Sequence, residues 1–385
     1  MQSTYDAVVI GAGGAGAAAA YHLARRGKRT LLLEQFGINH VRGSSHGASR
    51  IIRHSYEKRD YVTLAPAAFA LWHELAQISG QPLLRMTGGV DLAPADHPQF
   101  TGRITALRAA QLPFDVLEGA AATAAMPQMH IPAGWALLRQ PGAGILDADR
   151  CVRTMVDQAL AHGATLREHT PALAVKPDGD GVLVTINEPD GATQIRADRA
   201  IIAAGPWAGR FFNNLGLAAP LRVTHQQVAY FAVTRPELYD PDICPVYITF
   251  ASQHNKAFYG FPIVEKPGMV KIANELDGPP LDPDTPPLAP DQAALDRLSA
   301  MIAERMIGID PTPQEVVTCR YTQTLDGDFV IDRHPEFPQI VLASPCSGHG
   351  FKFTIVTGAL LADLALSAAG DYSSPHWRER FRLKA

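Results

Sequence analysis

The chain has 385 residues and a formal net charge of −4, and its apolar residues make up 46% of the composition. At about 100–200 residues per domain, this length suggests two domains. The apolar content excludes intrinsic disorder. The absence of a long basic run argues against a nucleic-acid partner and against a membrane-surface role, since phosphate binding needs clustered lysine and arginine.

The cysteines and the N-terminal residues exclude further classes of protein. The four cysteines lie at positions 151, 244, 319 and 346 and form no C-x-x-C pair. This excludes zinc-ribbon and thioredoxin-like chemistry, and we expect no bound metal and no disulfide-built fold. The first six residues have no basic segment and no cleavable apolar core, so we expect no signal peptide and a cytoplasmic protein.

Residues 5–34 contain the first motif. A short apolar strand over 7–10 leads into Gly11, Gly13 and Gly16 in G-x-G-x-x-G spacing, then an alanine-rich helix, then a second strand ending at Glu34. The three glycines allow a tight turn, the approach of a pyrophosphate and close helix–strand packing, while Glu34 can accept hydrogen bonds from a ribose diol. A bare glycine turn is the plainer alternative, but the complete pattern predicts dinucleotide binding.

The motif alone leaves NAD and FAD open. Far downstream, residues 197–205 form a further strand that ends in small residues. No second G-x-G-x-x-G occurs in the chain. A late strand that returns to the nucleotide domain is typical of flavoproteins. We therefore expect FAD, with electrons supplied by the substrate and passed to oxygen or to a carrier.

The remaining elements follow in chain order. The patterns predict helices over 61–80, 147–162, 291–306 and 354–369. They predict β-structure over 83–92, a β-meander over 165–194 with a hairpin near 178–181, strands within 220–275, and strands at 329–332 and 340–343. A proline-rich loop covers 279–290.

The predicted fold class is α/β plus α+β, in which an antiparallel-sheet substrate domain is inserted into a Rossmann-type FAD-binding domain. The nucleotide domain is assembled from the separated segments 1–82, 146–219 and 319–385. The substrate domain comprises 83–145 and 220–318.

Five sequence blocks resemble the monomeric sarcosine oxidase and N-methyltryptophan oxidase family of flavoenzymes. They are GAGGAG at 11–16, GSSHGASRIIRHSY at 43–56, FYGFP at 258–262, CRYTQTLDGDFVID at 319–332 and SGHGFKF at 347–353. The resemblance implies a monomer with an FAD joined through its 8α-methyl group to a cysteine sulfur. It also implies oxidation of a secondary N-methyl amino acid to an imine, which hydrolyses, while oxygen is reduced to hydrogen peroxide.

The same resemblance assigns residues to the flavin. Cys319 matches the flavin-linking cysteine, although a buried inert thiol is the plainer alternative. Arg50 and His46 match positions near the flavin, where positive charge would favour the thiolate. Ser45, Gly348, Gly350 and Lys352 are further expected contacts of the cofactor. Cys346 is interpreted as a packing residue.

Other matches concern the substrate and oxygen. Arg53 and Lys352 match the pair that holds the substrate carboxylate. The planar guanidinium group of an arginine and the compact ammonium group of a lysine together suit one carboxylate. Lys271 matches the lysine that promotes oxygen reduction, with a solvated strand lysine as the alternative. Tyr259 and Tyr321 match tyrosines of the amine pocket. Tyr56 is a weaker candidate for the same pocket.

One position departs from the family. Glu275 stands where sarcosine enzymes have a histidine, four residues after Lys271, and the turn before Lys271 is one residue longer. A carboxylate there would disfavour a second substrate carboxylate, so the substrate need not be sarcosine. Two other functions stay open: a dehydrogenase of the same fold that passes electrons to a carrier or quinone, and a flavin-binding module without catalysis.

Overall fold

A computed structural model describes residues 5–218, 221–250, 257–274, 278–368, 370 and 375–384. The strands in these ranges are β1 (Tyr5–Ile10), β2 (Thr30–Leu33), β3 (Arg50–Ile52), β4 (Leu84–Met86), β5 (Gly89–Pro94), β6 (Asp115–Glu118), β7 (Trp135–Gln140), β8 (Gly144–Leu146), β9 (Thr165–Arg167), β10 (Ala172–Asp178), β11 (Gly181–Glu188), β12 (Gly191–Ile202), β13 (Arg222–Val233), β14 (Val246–Thr249), β15 (Phe258–Gly260), β16 (Met269–Asn274), β17 (Ile309–Gln323), β18 (Val330–Arg333) and β19 (Ile340–Ser344). The helices are α1 (Gly14–Arg25), α2 (Arg59–Ser79), α3 (Pro98–Ala109), α4 (Gly119–Ala125), α5 (Ala148–Ala161), α6 (Ala208–Asn214), α7 (Gln292–Arg305), α8 (Thr354–Leu366) and α9 (Pro375–Arg380).

The first sheet is built around β1. Strands β2 and β12 pair with β1 in parallel, β9 extends the sheet beyond β2, and β19 lies parallel to the end of β12. Strands β10 and β11 continue from β12 as an antiparallel meander. All four residues of β2 are buried, as expected for a parallel strand covered on both faces.

Helix α1 follows β1 directly and packs against α5 and α8. Its alanine-rich sequence has a high helix propensity and lets neighbouring helices approach closely. The closest approach is at Gly358 of α8, where a Cβ atom would lie 2.4 Å from Ala18 Cβ. This packing fixes the N-terminus of α1 at the carboxyl end of β1.

The second sheet has the strand order β17-β13-β16-β15-β14-β5-β7-β6. Neighbouring strands are antiparallel except for the parallel pair β14 and β5. Strand β17 pairs with β13 over almost its whole length, which sets Cys319 opposite Gln226. A third, smaller sheet has the order β3-β8-β4 and contains Arg50.

The strands show where the predicted domain limits fall. The limit between 318 and 319 lies inside β17, and residues 319–323 pair with β13 of the second sheet. The limit between 145 and 146 lies inside β8. Hydrogen bonds between distant strands form these sheets, and the local sequence patterns that set the predicted limits do not encode such bonds.

The predicted helices are present with small changes of boundary. Helix α2 begins two residues earlier than predicted, and α8 ends at Leu366 because Ser367 adopts a left-handed conformation with φ 54°. The predicted hairpin is confirmed, since Asp178 pairs with Gly181. The predicted meander over 165–194 is wrong at its start: β9 pairs in parallel with β2 instead, and an apolar strand does not encode its partner. Within the ranges described, no helix combines the length and the apolar character that crossing a membrane requires.

Candidate active site

A cavity of about 700 Å³ runs from the carboxyl end of β1 to the face of the second sheet. The predicted site residues in its wall are Gly11, Gly13, Glu34, Ser45, His46, Arg50, Arg53, Tyr259, Lys271, Cys319, Tyr321, Gly348, Gly350 and Lys352. Gly16 lies behind the wall, and Glu275 lies outside the described residues. The chain therefore brings residues from both sheets to one cavity, although their roles remain predictions.

The glycine motif leaves room for a ligand at the start of α1. Gly11 has φ +97°, and a Cβ atom there would lie 2.5 Å from the Ala203 carbonyl oxygen. At Gly16 a Cβ atom would lie 1.8 Å from the Gly11 carbonyl oxygen, so only glycine permits this helix–strand contact. Ser45 Oγ accepts a hydrogen bond from the Gly14 amide at 3.0 Å. The N-terminal end of α1 thus lies in the cavity wall, an arrangement that suits phosphate groups.

Glu34 lies at the end of β2 and is 3% exposed. Its two carboxylate oxygens accept hydrogen bonds of 2.9 Å from the amides of Ala12 and Phe36. These bonds hold the carboxylate in the cavity wall. Oε1 also lies 3.5 Å from His40 Nε2, so Oε2 is the oxygen that keeps a lone pair for a ribose hydroxyl. The glycine cradle and this carboxylate together fit the adenosine diphosphate part of a dinucleotide.

Arg50 organises the loop before β3. Its guanidinium group donates to the carbonyl oxygens of Ser49, Ser44 and His46 at 2.8, 3.1 and 2.6 Å. The His46 imidazole is buried, and burial together with the charge of Arg50 lowers its pKa to about 4. Arg50 is thus a fixed positive charge in the wall, and His46 is a neutral side chain.

Lys271 lies in β16 and is 5% exposed. Its ammonium group donates to the Ser49 carbonyl oxygen at 3.1 Å and to the carboxylate of Glu265. Burial lowers the pKa of Lys271 to about 8, and the charge of Glu265 opposes that shift. The alternative of a solvated strand lysine does not hold for this buried position, and the ion pair with Glu265 is an unpredicted feature.

Cys319 and Cys346 are both free thiols that line the cavity. Burial raises the pKa of Cys319, and the positive charges of Arg50 and Lys271 act in the opposite direction. The net effect is a raised pKa, and the two cations, which come from β3 and β16, would stabilise the thiolate. Cys346, predicted as a packing residue, is also in the wall and becomes the natural control for Cys319.

Lys352 and Arg53 form a buried cationic pair. Lys352 Nζ donates to Tyr56 Oη at 2.8 Å and to the His349 carbonyl oxygen at 2.7 Å, and no described carboxylate pairs with it. Burial, followed by the charges of Arg53 and Arg103, holds the pKa of Lys352 well below its usual value. Arg53 Nη1 is buried without a hydrogen-bond partner among the described residues. An anion in the cavity would satisfy both side chains.

A second, unpredicted network lies behind Arg53. Asp91 in β5 accepts a hydrogen bond from Ser55 and lies 3.5 Å from Arg103 Nη1 and 4.0 Å from Arg53 Nη1. Asp91 is thus shared between two buried guanidinium groups and leaves an excess of positive charge beside the cavity. An acidic residue inside an apolar strand was a visible signal in the sequence, but its partner on α3 was not.

One wall of the cavity contains the predicted tyrosines and glycines of the last three sequence blocks, which are Tyr259, Tyr321, Gly348 and Gly350. Gly348 has φ +76°, and a Cβ atom there would lie 2.8 Å from the Tyr321 ring. At Gly350 a Cβ atom would lie 1.9 Å from the Pro345 carbonyl oxygen. Tyr259 comes from β15 and stacks edge-on against Phe261 at 6.1 Å between ring centroids. This compact backbone and the aromatic side chains form an apolar wall beside the cations.

These features define a dinucleotide-binding oxidoreductase, and residues 6–364 match the FAD dependent oxidoreductase family, to which the chain belongs. It is 33% identical to the monomeric sarcosine oxidase of Bacillus sp. (strain B-0618), over 97% of this chain and 95% of that protein. It is 30% identical to the N-methyl-L-tryptophan oxidase of Citrobacter koseri, over 94% of each chain. The predicted family resemblance is thereby confirmed.

A solved structure confirms the predicted fold. The open form of NikD, described as an unusual amino acid oxidase essential for nikkomycin biosynthesis, superposes with a TM-score of 0.86 at 25% identity. The match covers 100% of this chain and 98% of NikD. The α/β nucleotide sheet and the antiparallel second sheet therefore belong to a known flavoenzyme architecture.

Proposed function

We propose that this FAD-dependent oxidoreductase oxidises a secondary or N-methyl amino acid to an imine and reduces oxygen to hydrogen peroxide. The observation that carries the proposal is the buried cationic pair Arg53 and Lys352, which shares one cavity with the dinucleotide cradle. An amino acid presents a carboxylate to such a pair. The curated relatives named as sarcosine oxidase and N-methyl-L-tryptophan oxidase support the same substrate class.

The residues present fit FAD. The amides at the start of α1 and Ser45 would hold the pyrophosphate, Glu34 the ribose, and Cys319 the isoalloxazine ring through a thioether. When bound, FAD supplies the two-electron acceptor that takes a hydride equivalent from the carbon next to the amine nitrogen. The electrons leave to oxygen, and water then hydrolyses the released imine to an amine and an aldehyde.

Arg53 and Lys352 would orient the substrate through its carboxylate. Their positive charges also disfavour an ammonium form of the substrate nitrogen, so the bound amine loses its proton more readily than in water. The neutral amine has the lone pair that oxidation requires, and the site needs no dedicated base. Tyr259 and Tyr321 provide a dry wall around the amine.

The test is anaerobic mixing of the purified flavoprotein with N-methyl amino acids, cyclic imino acids and sugar-amine conjugates. Bleaching of the flavin by a carboxylate-bearing secondary amine, with peroxide released when air is admitted, is the expected result. Bleaching without peroxide would instead support a dehydrogenase that uses a carrier or quinone. A flavin that no amine bleaches would support a non-catalytic module.

We expect the flavin to stay bound to the protein after acid precipitation, because Cys319 lies in the cavity wall and the charges of Arg50 and Lys271 counteract the burial that raises its pKa. The yellow colour of the pellet and the mass of the Cys319 peptide measure the link. Cys319→Ser should release all of the flavin into the supernatant. Cys346→Ser is the matched control in the same wall and should retain it. Complete release from the unmodified protein would refute the link.

A further inference from the structure

The turn between β15 and β16 carries an acidic residue that the family pattern did not predict. Glu265 lies four residues before β16. The turn is closed by a bridge between Lys266 and Met269, and the Gly268 carbonyl oxygen accepts from the Val233 amide at 2.9 Å. This hairpin folds the Glu265 side chain back toward the cavity, where it is 9% exposed.

Every described contact of this carboxylate is with a side chain that fixes its position. One oxygen accepts hydrogen bonds from Lys271 and Ser49, and the other accepts from Tyr230 Oη at 2.5 Å. Burial raises the pKa of Glu265, but the charge and hydrogen bonds of Lys271, with those of Ser49 and Tyr230, lower it more. Glu265 is therefore ionised, and two neutral hydroxyl groups hold it beneath the lysine.

We propose that Glu265 is the positioning residue that keeps the Lys271 ammonium charged and fixed at the cavity wall for the reduction of oxygen. This inference rests on the proposed function, in which Lys271 stabilises the negative charge that oxygen acquires. A buried ammonium without a counter-ion loses its proton, since burial penalises the charged form. Lys271 Nζ also lies 4.5 Å from the centroid of the Phe261 ring, which is a weaker partner than a carboxylate.

The surroundings of the pair oppose a charged lysine. Arg50 repels the ammonium group, and Cys319 carries no charge once it is linked to the flavin as proposed. The titratable and charged groups that face the pair are Arg50, His46, Tyr230, Cys319 and Asp149. None of these five groups forms an ion pair with Lys271, whose counter-ion in the described part of the chain is Glu265. Removal of the Glu265 carboxylate should therefore lower the pKa of Lys271.

The test is Glu265→Gln, which keeps the shape of the side chain and one oxygen acceptor but removes the charge. The amide nitrogen replaces the oxygen that accepts from Tyr230, whose hydroxyl group can accept from that nitrogen instead. Loss of an adjacent opposite charge shifts a pKa by about 1–3 units, here downward for a lysine. Since only the charged lysine assists oxygen, the rate of flavin reoxidation should begin to fall at a pH about 1–3 units lower than in the unmodified protein. Glu265→Asp should restore most of the original profile.

Nitrogen-15 lysine NMR of the holoenzyme supplies a readout independent of turnover. The chain has eight lysines, so Lys271→Met identifies the Lys271 Nζ signal by its loss. That signal should titrate in the unmodified protein and move to lower pH in Glu265→Gln. Glu315→Gln is the matched control, because Glu315 pairs with Lys266 at the surface and its side chain is 46% exposed.

The outcomes separate the two ideas. An unchanged Lys271 titration and an unchanged reoxidation profile in Glu265→Gln would overturn the inference. The proposed function would stay intact in that case if flavin reoxidation is slow in Lys271→Met. A Lys271→Met enzyme that reoxidises normally would overturn the role of Lys271 and the inference with it. Should Glu265→Gln fail to fold, a Lys271 signal that is already neutral at pH 6 in the unmodified protein would overturn the inference.

Discussion

Lys271→Met should slow the reoxidation of the reduced flavin by air by about 10²–10³-fold, the loss typical of removing one preorganised charge stabiliser. Electron transfer to oxygen creates negative charge inside the cavity. The buried Lys271 ammonium, 5% exposed, offsets that charge without waiting for solvent to reorganise. Anaerobic reduction by substrate should stay largely intact. Stopped-flow mixing of the reduced variant with oxygenated buffer measures the effect.

Removal of Lys271 also leaves the Glu265 carboxylate buried without its partner. The double variant Lys271→Met/Glu265→Gln separates this side effect, and it should reoxidise as slowly as Lys271→Met alone. Lys176→Met, at an exposed position of β10, is the control for the loss of a lysine. Reoxidation of Lys271→Met at the normal rate would make Lys271 a structural strand lysine. Arg50 or Lys352 would then be the next candidate for the cation that assists oxygen reduction.

Lys352→Met should weaken a carboxylate inhibitor by roughly 30-fold or more, because truncating one partner of a buried charged hydrogen bond costs about 2–5 kcal/mol. The low pKa of Lys352 adds a pH signature. A bound carboxylate favours the ammonium form, so binding takes up a proton and the affinity should fall as the pH rises. This pH dependence should be smaller in Lys352→Met. Inhibitor titration of the flavin spectrum across pH measures both effects.

Oxygen reactivity provides the internal control for this variant. Lys352 contacts Tyr56 and His349 rather than the Glu265 pair, so reoxidation should be much less affected than in Lys271→Met. Lys176→Met should leave the inhibitor constant unchanged. If Lys352→Met also leaves it unchanged, the carboxylate is held elsewhere in the cavity, and Arg50 becomes the first alternative.

The local parts of the fold could be predicted from the sequence because their rules act over a few residues. The glycine motif required a positive φ at Gly11 and a close helix–strand contact at Gly16, and both are present. Helix boundaries followed from capping residues such as Asp147, whose side chain accepts from the Arg150 amide. Most candidate site residues were found because they lie in long blocks that resemble known enzymes.

The remaining features depend on contacts between distant segments. Asp91 and Arg103 meet only because β5 and α3 pack together, and neither position carries a motif. Glu265 belongs to no motif in the sequence, and only the fold of the hairpin places it against Lys271. Strand β9 has the composition of a meander strand, yet it pairs with β2 because the nucleotide sheet has an available edge there.

The shared counter-ion Asp91 has a thermodynamic consequence for the whole chain. Arg53, Arg103 and Lys352 are desolvated on folding. The buried Asp91 and the partly exposed Glu57, which lies 3.7 Å from Arg103 Nη2, do not compensate all three. A carboxylate ligand binds the folded chain and not the unfolded one, and at 100 times its dissociation constant it adds about 2.7 kcal/mol of stability. Substrate analogues should therefore raise the melting temperature of the protein, and neutral esters of the same acids should not, so that a thermal-shift assay reports occupancy of the cationic pocket without any turnover.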